Sequence, residues 1–340
     1  MSESKFYHFT ATGLFYGIAT IGEAIDASRE GGFVWFNFYK PSREELSSLV
    51  DTIGIHPLSV EDCFDDKQVP KIEHFNKNTF ILFNAFTYAE KELFIDEINL
   101  FIGENFLITV SGHNSGERKP LSDVVNLIET DLKNAKAGPG FLMHVVLDHL
   151  VDEKYKALDN MEDDLEEAEE SLISDAERFQ PRQLIHLRKD LMALRKSLYH
   201  EREILVKVCR SDCPFITEKA IVHYRDIYDH LAKFFELTET YREIETSLME
   251  LYTSLINNQM NKMANETNFS MKRLTLIATI CMPLTLLAGI GGMSEWTMMT
   301  GPENWKLSYP LFLLGMLVLA GISYFIIKRL EKRKAERLDL

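Results

Sequence analysis

Ser254, Asn258, Asn261, Asn265 and Asn268 recur at alternating steps of four and three residues, a heptad-like seam of hydroxyl and amide side chains. An asparagine on a buried seam is costly unless it meets water, an ion or a partner amide. Fixing the register of a coiled coil is the plain alternative, but five polar positions in succession are more than register needs. Such a stripe offers neutral oxygen acceptors to water or to a hydrated cation. It leads into the apolar run Leu274–Met293, and a second apolar run, Leu307–Ile327, follows a short polar loop. Each run is about long enough to cross a bilayer as a helix. Neither contains Asp, Glu or His, so an intramembrane proton relay has no carrier.

Other groups that could do chemistry are weaker. His56, Glu61, Asp62, Asp65 and Asp66 could ligate a metal, yet helix caps and surface charge explain residues so close in sequence. Cys209-x-x-x-Cys213 has no second pair at zinc-ligand spacing, and Cys63 and Cys281 stand apart, as suits reduced thiols. Gly112 to Lys119 has the wrong spacing for a phosphate-binding loop, which excludes ATP-driven work. The net charge of −15 argues against nucleic acid and suits attraction of cations. No catalytic constellation emerges, so an enzyme is not expected. No early apolar run resembles a signal peptide, because charges and glycines break Met1–Gly32.

The elements that must position these groups fall into an α/β part and a helical part. Phe33–Phe38, Thr79–Phe86, Glu97–Ile102 and Phe106–Val110 read as strands, rich in aromatic and β-branched residues. Ser42–Ile53 and Leu121–Lys133 read as helices, and Ser42-x-x-Glu45 has capping-box spacing. Beyond position 140 the breakers vanish. Phe141–Gln180, Arg182–Cys213 and Thr217–Met282 contain neither glycine nor proline, and the last flows into the first apolar run as one continuous stalk-and-membrane helix. The strongly acidic Asp152–Glu170 reads as a solvated helix face or, alternatively, as a device that concentrates cations. Lys272 and Arg273 precede the first span, while Lys328, Arg329, Lys332, Arg333, Lys334 and Arg337 follow the second. By the positive-inside rule both termini are cytosolic and the loop faces out. The expected organisation is a cytosolic α/β domain at 1–140, a helical stalk region at 141–271 and a first membrane helix at 272–293. An outer loop at 294–306, a second membrane helix at 307–328 and a basic cytosolic tail at 329–340 complete it.

Several stretches, in order along nearly the whole chain, resemble the CorA family of magnesium and divalent-cation channels. They are Leu274–Ser294, Trp305-Lys306 with Tyr309-Pro310, and His56–Asp62 through Gln68-x-Pro70-Lys71-Ile72-Glu73. Leu107–Val110, Tyr224–His230 and Asn268-x-x-Met271-Lys272-x-Leu274-Thr275 match as well. The resemblance implies a homopentameric funnel embedded in the inner (plasma) membrane, each subunit giving an α/β domain, a long stalk helix and two membrane helices. With the spacing, it implies that Asn258, Asn261, Asn265, Asn268, Met271, Leu274, Ala278, Met282, Thr285 and Gly289 line a central pore. Glu250 stands at its cytosolic mouth. Selection falls to Gly292, Met293, Ser294 and Glu295, with Glu303 in the outer loop.

The chain departs from the family in places. Its signature is Gly292-Met293-Ser294 where the family has Gly-Met-Asn, and Gly291 stands where an aromatic is usual. Serine is shorter, and its hydroxyl is both donor and weaker acceptor. The stalk is about one heptad longer, which lengthens a coiled coil without turning its facing side. The family senses cytosolic divalent ions between subunits, which implies Asp226 on the stalk; with Ala89 at the usual acidic position, the site is weakened, shifted to Glu90 beside it, or absent. The sequence thus predicts passive passage of Mg2+, Co2+ or Ni2+ through a self-assembled pore, a divalent ion serving both as permeant and as regulator. The alternatives are a carrier of another divalent such as Zn2+ and a non-conducting, membrane-anchored scaffold or sensor.

Overall fold

The computed structural model describes residues 4–10, 15–65, 68–113, 118–130, 138–292, 298, 301 and 303–335. They form two compact units, Met1–Thr253 and Ser254–Leu340.

The first unit is built on a seven-stranded sheet. Its strands are β1 (Lys5–Phe9), β2 (Phe15–Ile18), β3 (Phe33–Tyr39), β4 (Lys71–His74), β5 (Thr79–Ala89), β6 (Glu92–Ile102) and β7 (Phe106–Ser111). Their order is β2-β1-β3-β7-β6-β5-β4. The β3–β7 pair is parallel, with Val34 opposite Phe106, and the other pairs are antiparallel. Helices α1 (Ile21–Ala27), α2 (Arg43–Thr52) and α3 (Pro57–Asp62) join these strands. Phe36, Phe38, Leu46, Leu49, Phe80, Leu82, Phe101 and Ile108 pack into one fully buried cluster. Each such side chain contributes about 1.5–3 kcal/mol by leaving water.

The four strands expected from the sequence are present. The short β1, β2 and β4 and helices α1 and α3 escaped the sequence reading, being too short to establish a period. Helix α2 is capped as its spacing predicts: Ser42 Oγ accepts from Glu45 N at 3.2 Å, and Glu45 Oε2 accepts from Ser42 N at 2.7 Å. Where a helix was expected over Leu121–Lys133, α4 covers Val124–Thr130, and residues 131–137 lie outside the described residues.

Strand β5 runs on to Ala89 and β6 starts at Glu92, each longer than the sequence suggested. Glu90 and Lys91 close the hairpin at φ 55° and 61°, the left-handed pair of a tight type I′ turn. Beyond Leu82 on β5 and Asn99 on β6 neither strand keeps its outer sheet neighbour, so a two-stranded arm projects from the sheet. An arm of two strands is marginal by itself. Helices α5 (Pro139–Ser174) and α6 (Arg182–Cys209) pack against it. Asn84 lies two residues past Leu82, so its N–H and C=O face the side that β4 has left. Glu201 Oε1 accepts from Asn84 N at 3.0 Å, and Lys154 Nζ donates to Asn84 O. Both side chains are fully buried and pair with each other at 3.3 Å. A buried ion pair thereby stands in for the missing strand. Farther out, Asp190 accepts from Leu93 N at 3.1 Å, and Tyr88 Oη donates to Asp164 at 2.6 Å.

Helix α7 runs unbroken from Glu218 to Gly291, as the breaker-free sequence predicts, and contributes to both units. In the second unit its residues from Ser254 onward lie with α8 (Trp305–Ala335). Both helices are long and apolar enough to cross a membrane.

Candidate functional site

The first span has two faces. Leu276, Ile280, Pro283, Leu284, Leu287 and Gly291 are half-buried on the side where Gly291 meets the Phe312 ring of α8. A Cβ built on Gly291 would come within 2.9 Å of Phe312 Cζ. The α8 phenyl ring therefore fills the room that an aromatic at position 291 would take. At about 100° per residue, Met271, Leu274, Ala278, Met282, Thr285 and Gly289 lie on the opposite face. All six are exposed, Met282 at 74 %. Ala278, Met282, Thr285 and Gly289 share a shallow groove with Cys281, Leu286 and Ile290. Thr285 Oγ1 donates to Cys281 O at 2.8 Å, which engages its proton and leaves lone pairs free to accept. This face presents apolar side chains and a proton-satisfied hydroxyl oxygen, with no ionisable group other than the Cys281 thiol.

Below it, Asn258, Asn261, Asn265 and Asn268 are exposed, and none makes a hydrogen bond among the described residues. Glu250, on α7 in the first unit, is also exposed. At the upper end Gly292 N donates to Ala288 O at 3.0 Å, continuing the helical bonding by one residue. Glu303 is exposed in a turn. Met293, Ser294 and Glu295 lie outside the described residues.

Glu90 is exposed at the arm's turn. Its neighbour Lys91 is held by α5, Nζ lying 2.7 Å from Glu167 and 3.4 Å from Asp164. Asp226 is exposed on α7, its side chain 71 % accessible, with His230 Nε2 at 3.8 Å. No hydrogen bond or ion pair links Glu90 to Asp226 among the described residues. A residue that the sequence reading missed faces Asp226 from α5. Asp148 is half-buried, and burial first, then the charges of Asp152 and Asp226, raise its pKa above the ordinary 3.8. Its only sequence signal is its place just before the acidic stretch of α5. Among the described residues no three His, Cys, Asp or Glu side chains converge to hold a metal within one chain.

The rival clusters have local explanations. His56 Nδ1 caps α3 by accepting from Leu58 N at 3.2 Å, and its ring stacks on Phe75. Asp62 pairs with Lys71 at 2.7 Å. Glu61 and Asp65 border a shallow groove with them, and Asp66 lies outside the described residues. Cys213 is buried with its thiol 3.5 Å from Thr79 Oγ1, and burial raises its pKa as it does that of Cys209. These thiols are held protonated and unreactive.

An α/β domain, a helix that runs into a membrane-length apolar segment and a second such helix give the layout of a membrane-anchored protein. Residues 30–329 match the family described as CorA-like Mg2+ transporter protein. The cobalt/magnesium transport protein CorA of Thermotoga maritima is 31 % identical over 87 % of this chain and 82 % of its own length. The protein of the same name from Methanocaldococcus jannaschii is 29 % identical over 87 % of this chain and 90 % of its own. The complete structure of the M. jannaschii CorA magnesium transporter superposes with a TM-score of 0.68 at 25 % identity, covering 96 % of this chain and 97 % of that one. The chain belongs to the CorA-like Mg2+ transporter family.

Proposed function

We propose that the chain assembles as a homopentamer in the inner membrane, both termini in the cytosol, and conducts divalent cations through a pore lined by the first span. One observation carries this reading: the stripe Met271, Leu274, Ala278, Met282, Thr285 and Gly289 is exposed opposite the face that packs on α8. A two-helix unit cannot enclose a water path, so an exposed stripe of this kind needs copies around an axis. The names of the relatives, cobalt/magnesium transport proteins, support Mg2+ and Co2+ as cargo.

In such a ring Glu250 and the asparagines 258, 261, 265 and 268 guide ions at the cytosolic end, by charge and by amide oxygens respectively. Met271, Leu274 and Met282 form apolar constrictions that close by dewetting. Magnesium gives up its water reluctantly, so groups that accept from ion-bound water suit it better than groups that replace that water. The Thr285 oxygen and the Gly289 carbonyl are such acceptors. Gly292, Met293 and Ser294 select at the outer mouth, with Glu295 and Glu303 supplying negative charge. For a doubly charged ion the membrane potential supplies about 4.6 kcal/mol per 100 mV, enough for passive uptake. Asp226, with Asp148 beside it, and Glu90 form a divalent site across the subunit boundary. Carboxylates that repel without a cation and are bridged with one bias the assembly between two states.

The test is divalent flux into proteoliposomes under an interior-negative potential, comparing Mg2+, Co2+, Ni2+ and Zn2+ for this chain and for Ser294→Asn. Magnesium flux in the unaltered protein is expected. Flux in neither protein, with reconstitution verified, contradicts conduction and favours a scaffold or sensor. Flux of other ions alone, with magnesium restored by Ser294→Asn, contradicts magnesium as the natural cargo.

A further inference from the structure

Both membrane-length helices are interrupted by a proline, Pro283 inside α7 and Pro310 inside α8. Proline has no N–H, so Thr279 C=O and Lys306 C=O each lose a helical bond, and each helix is softened there. Above Pro283 the first span continues to Gly291, a lever about 12 Å long at 1.5 Å per residue. Its lateral stop is the ring of Phe312, two residues past Pro310. A Cβ at position 291 would lie 2.9 Å from Phe312 Cζ and 3.3 Å from each Cε, so the tip of the ring points at the glycine. Ordinary contact begins at 3.4 Å, so one added methyl group displaces the lever or the ring by at least 0.5 Å. Gly289 lies about 200° round the helix from Gly291. It is exposed, and a Cβ there would meet no other helix within 4 Å. Pressure at Gly291 therefore moves the free face that carries Gly289 and Thr285.

We infer that Phe312 is a positioning residue for ion passage: its contact with Gly291 sets how far the Thr285 oxygen and the Gly289 carbonyl stand from the pore axis. This rests on the conduction reading, in which first spans ring the axis with that face inward and α8 stands behind. A larger side chain at 291 then drives the lever inward, and a shorter one at 312 lets it lean outward. The two changes have opposite signs. A contact that only added packing energy would lower stability in both cases and would not oppose them in what an ion meets. Narrowing hinders magnesium most, because it gives up its water more reluctantly than calcium does. Widening leaves the passage open but draws the acceptors away from the hydration shell, which weakens apparent affinity.

The experiment uses the full chain in proteoliposomes and reads two independent quantities. The first is disulfide formation between copies of Gly289→Cys in a Cys281→Ser background under mild oxidation, which needs no flux. Adding Gly291→Ala should speed it about threefold and adding Phe312→Ala should slow it about threefold, because bridging requires Cα atoms within about 7 Å. The second is magnesium and calcium flux in chains without the added cysteine. Gly291→Ala should lower maximal magnesium flux about fivefold, with a smaller loss for calcium. Phe312→Ala should raise the half-saturating magnesium concentration about fivefold without lowering the maximum. Gly291→Ala/Phe312→Leu removes the three ring atoms that meet position 291. It should bring crosslinking and flux back to within about twofold of the unaltered chain, as coupled neighbours do. Crosslinking moved in the same direction by both single variants, or by neither, overturns the positioning role whatever the flux. Opposed crosslinking with no flux in any chain supports Phe312 as the stop of the lever and contradicts conduction instead. No disulfide in any variant of a protein verified as assembled contradicts the ring, and the proposal with it.

Discussion

Thr285 is the one side chain of the outward stripe whose oxygen can take part in ion hydration, and its bond to Cys281 O fixes it as an acceptor. Replacing it with valine keeps shape and removes the acceptor. Thr285→Val should lower magnesium flux about fivefold, the scale of one hydrogen bond near 1 kcal/mol, without changing thermal stability. Unchanged flux would remove Thr285 from the path. Asp148 carries a second prediction at this scale. Its folded pKa lies above 3.8, so between that value and its folded value the native state holds more proton than the unfolded one. Stability from this group is therefore present below that window and is lost as pH rises through it. Asp148→Asn should raise the melting temperature at neutral pH, without divalent ions, more than at acid pH. A pH-independent effect would contradict the linkage. The asparagine seam and the stripe were legible because a helical period connects them. Asp148 was not, because its proximity to Asp226 exists only once α5 and α7 are packed together. Nor was the role of Gly291, whose partner Phe312 lies on another helix.

At the level of elements, the arm formed by β5 and β6 depends on helices rather than strands for its outer edges. Lys154 and Glu201 are fully buried, and burial pushes the ammonium pKa down and the carboxyl pKa up while each charge opposes the shift of the other. Truncating one partner leaves the other charge buried and alone. Glu201→Ala should cost about 3–5 kcal/mol of unfolding free energy in denaturant titration. Lys154→Met/Glu201→Leu should recover only part of this loss, because Asn84 N–H and C=O then lose their partners at a further cost of about 1–3 kcal/mol each. Full recovery in the double variant would show that the pair does not cap the strand. The sequence revealed the middle of this arm through its aromatic and β-branched runs. It missed the outer half of β6, where Glu92 to Asp96 mix charge with apolar residues, and the missing neighbours that call for the ion pair.

For the whole molecule, the order of segments was readable from composition alone: an α/β part, a stretch free of helix breakers, then two apolar runs flanked by basic residues. The family was suggested by the motifs set along that order, Leu274–Ser294 and His56–Glu73 among them. In the proposed channel the chemistry of the outer mouth would rest on Ser294 and Glu295, and the ion they choose would depend on a ring of copies that no single chain presents. The account's central claim is that the face bearing Met282 and Thr285 lines the ion path, while the face bearing Leu284 and Leu287 does not. It is tested most directly by placing single cysteines at 282, 285, 284 and 287 in a Cys281→Ser background and measuring magnesium flux before and after a membrane-impermeant thiol reagent. The account predicts block at 282 and 285 and unchanged flux at 284 and 287. Block at 284 and 287 with 282 and 285 unaffected would contradict it.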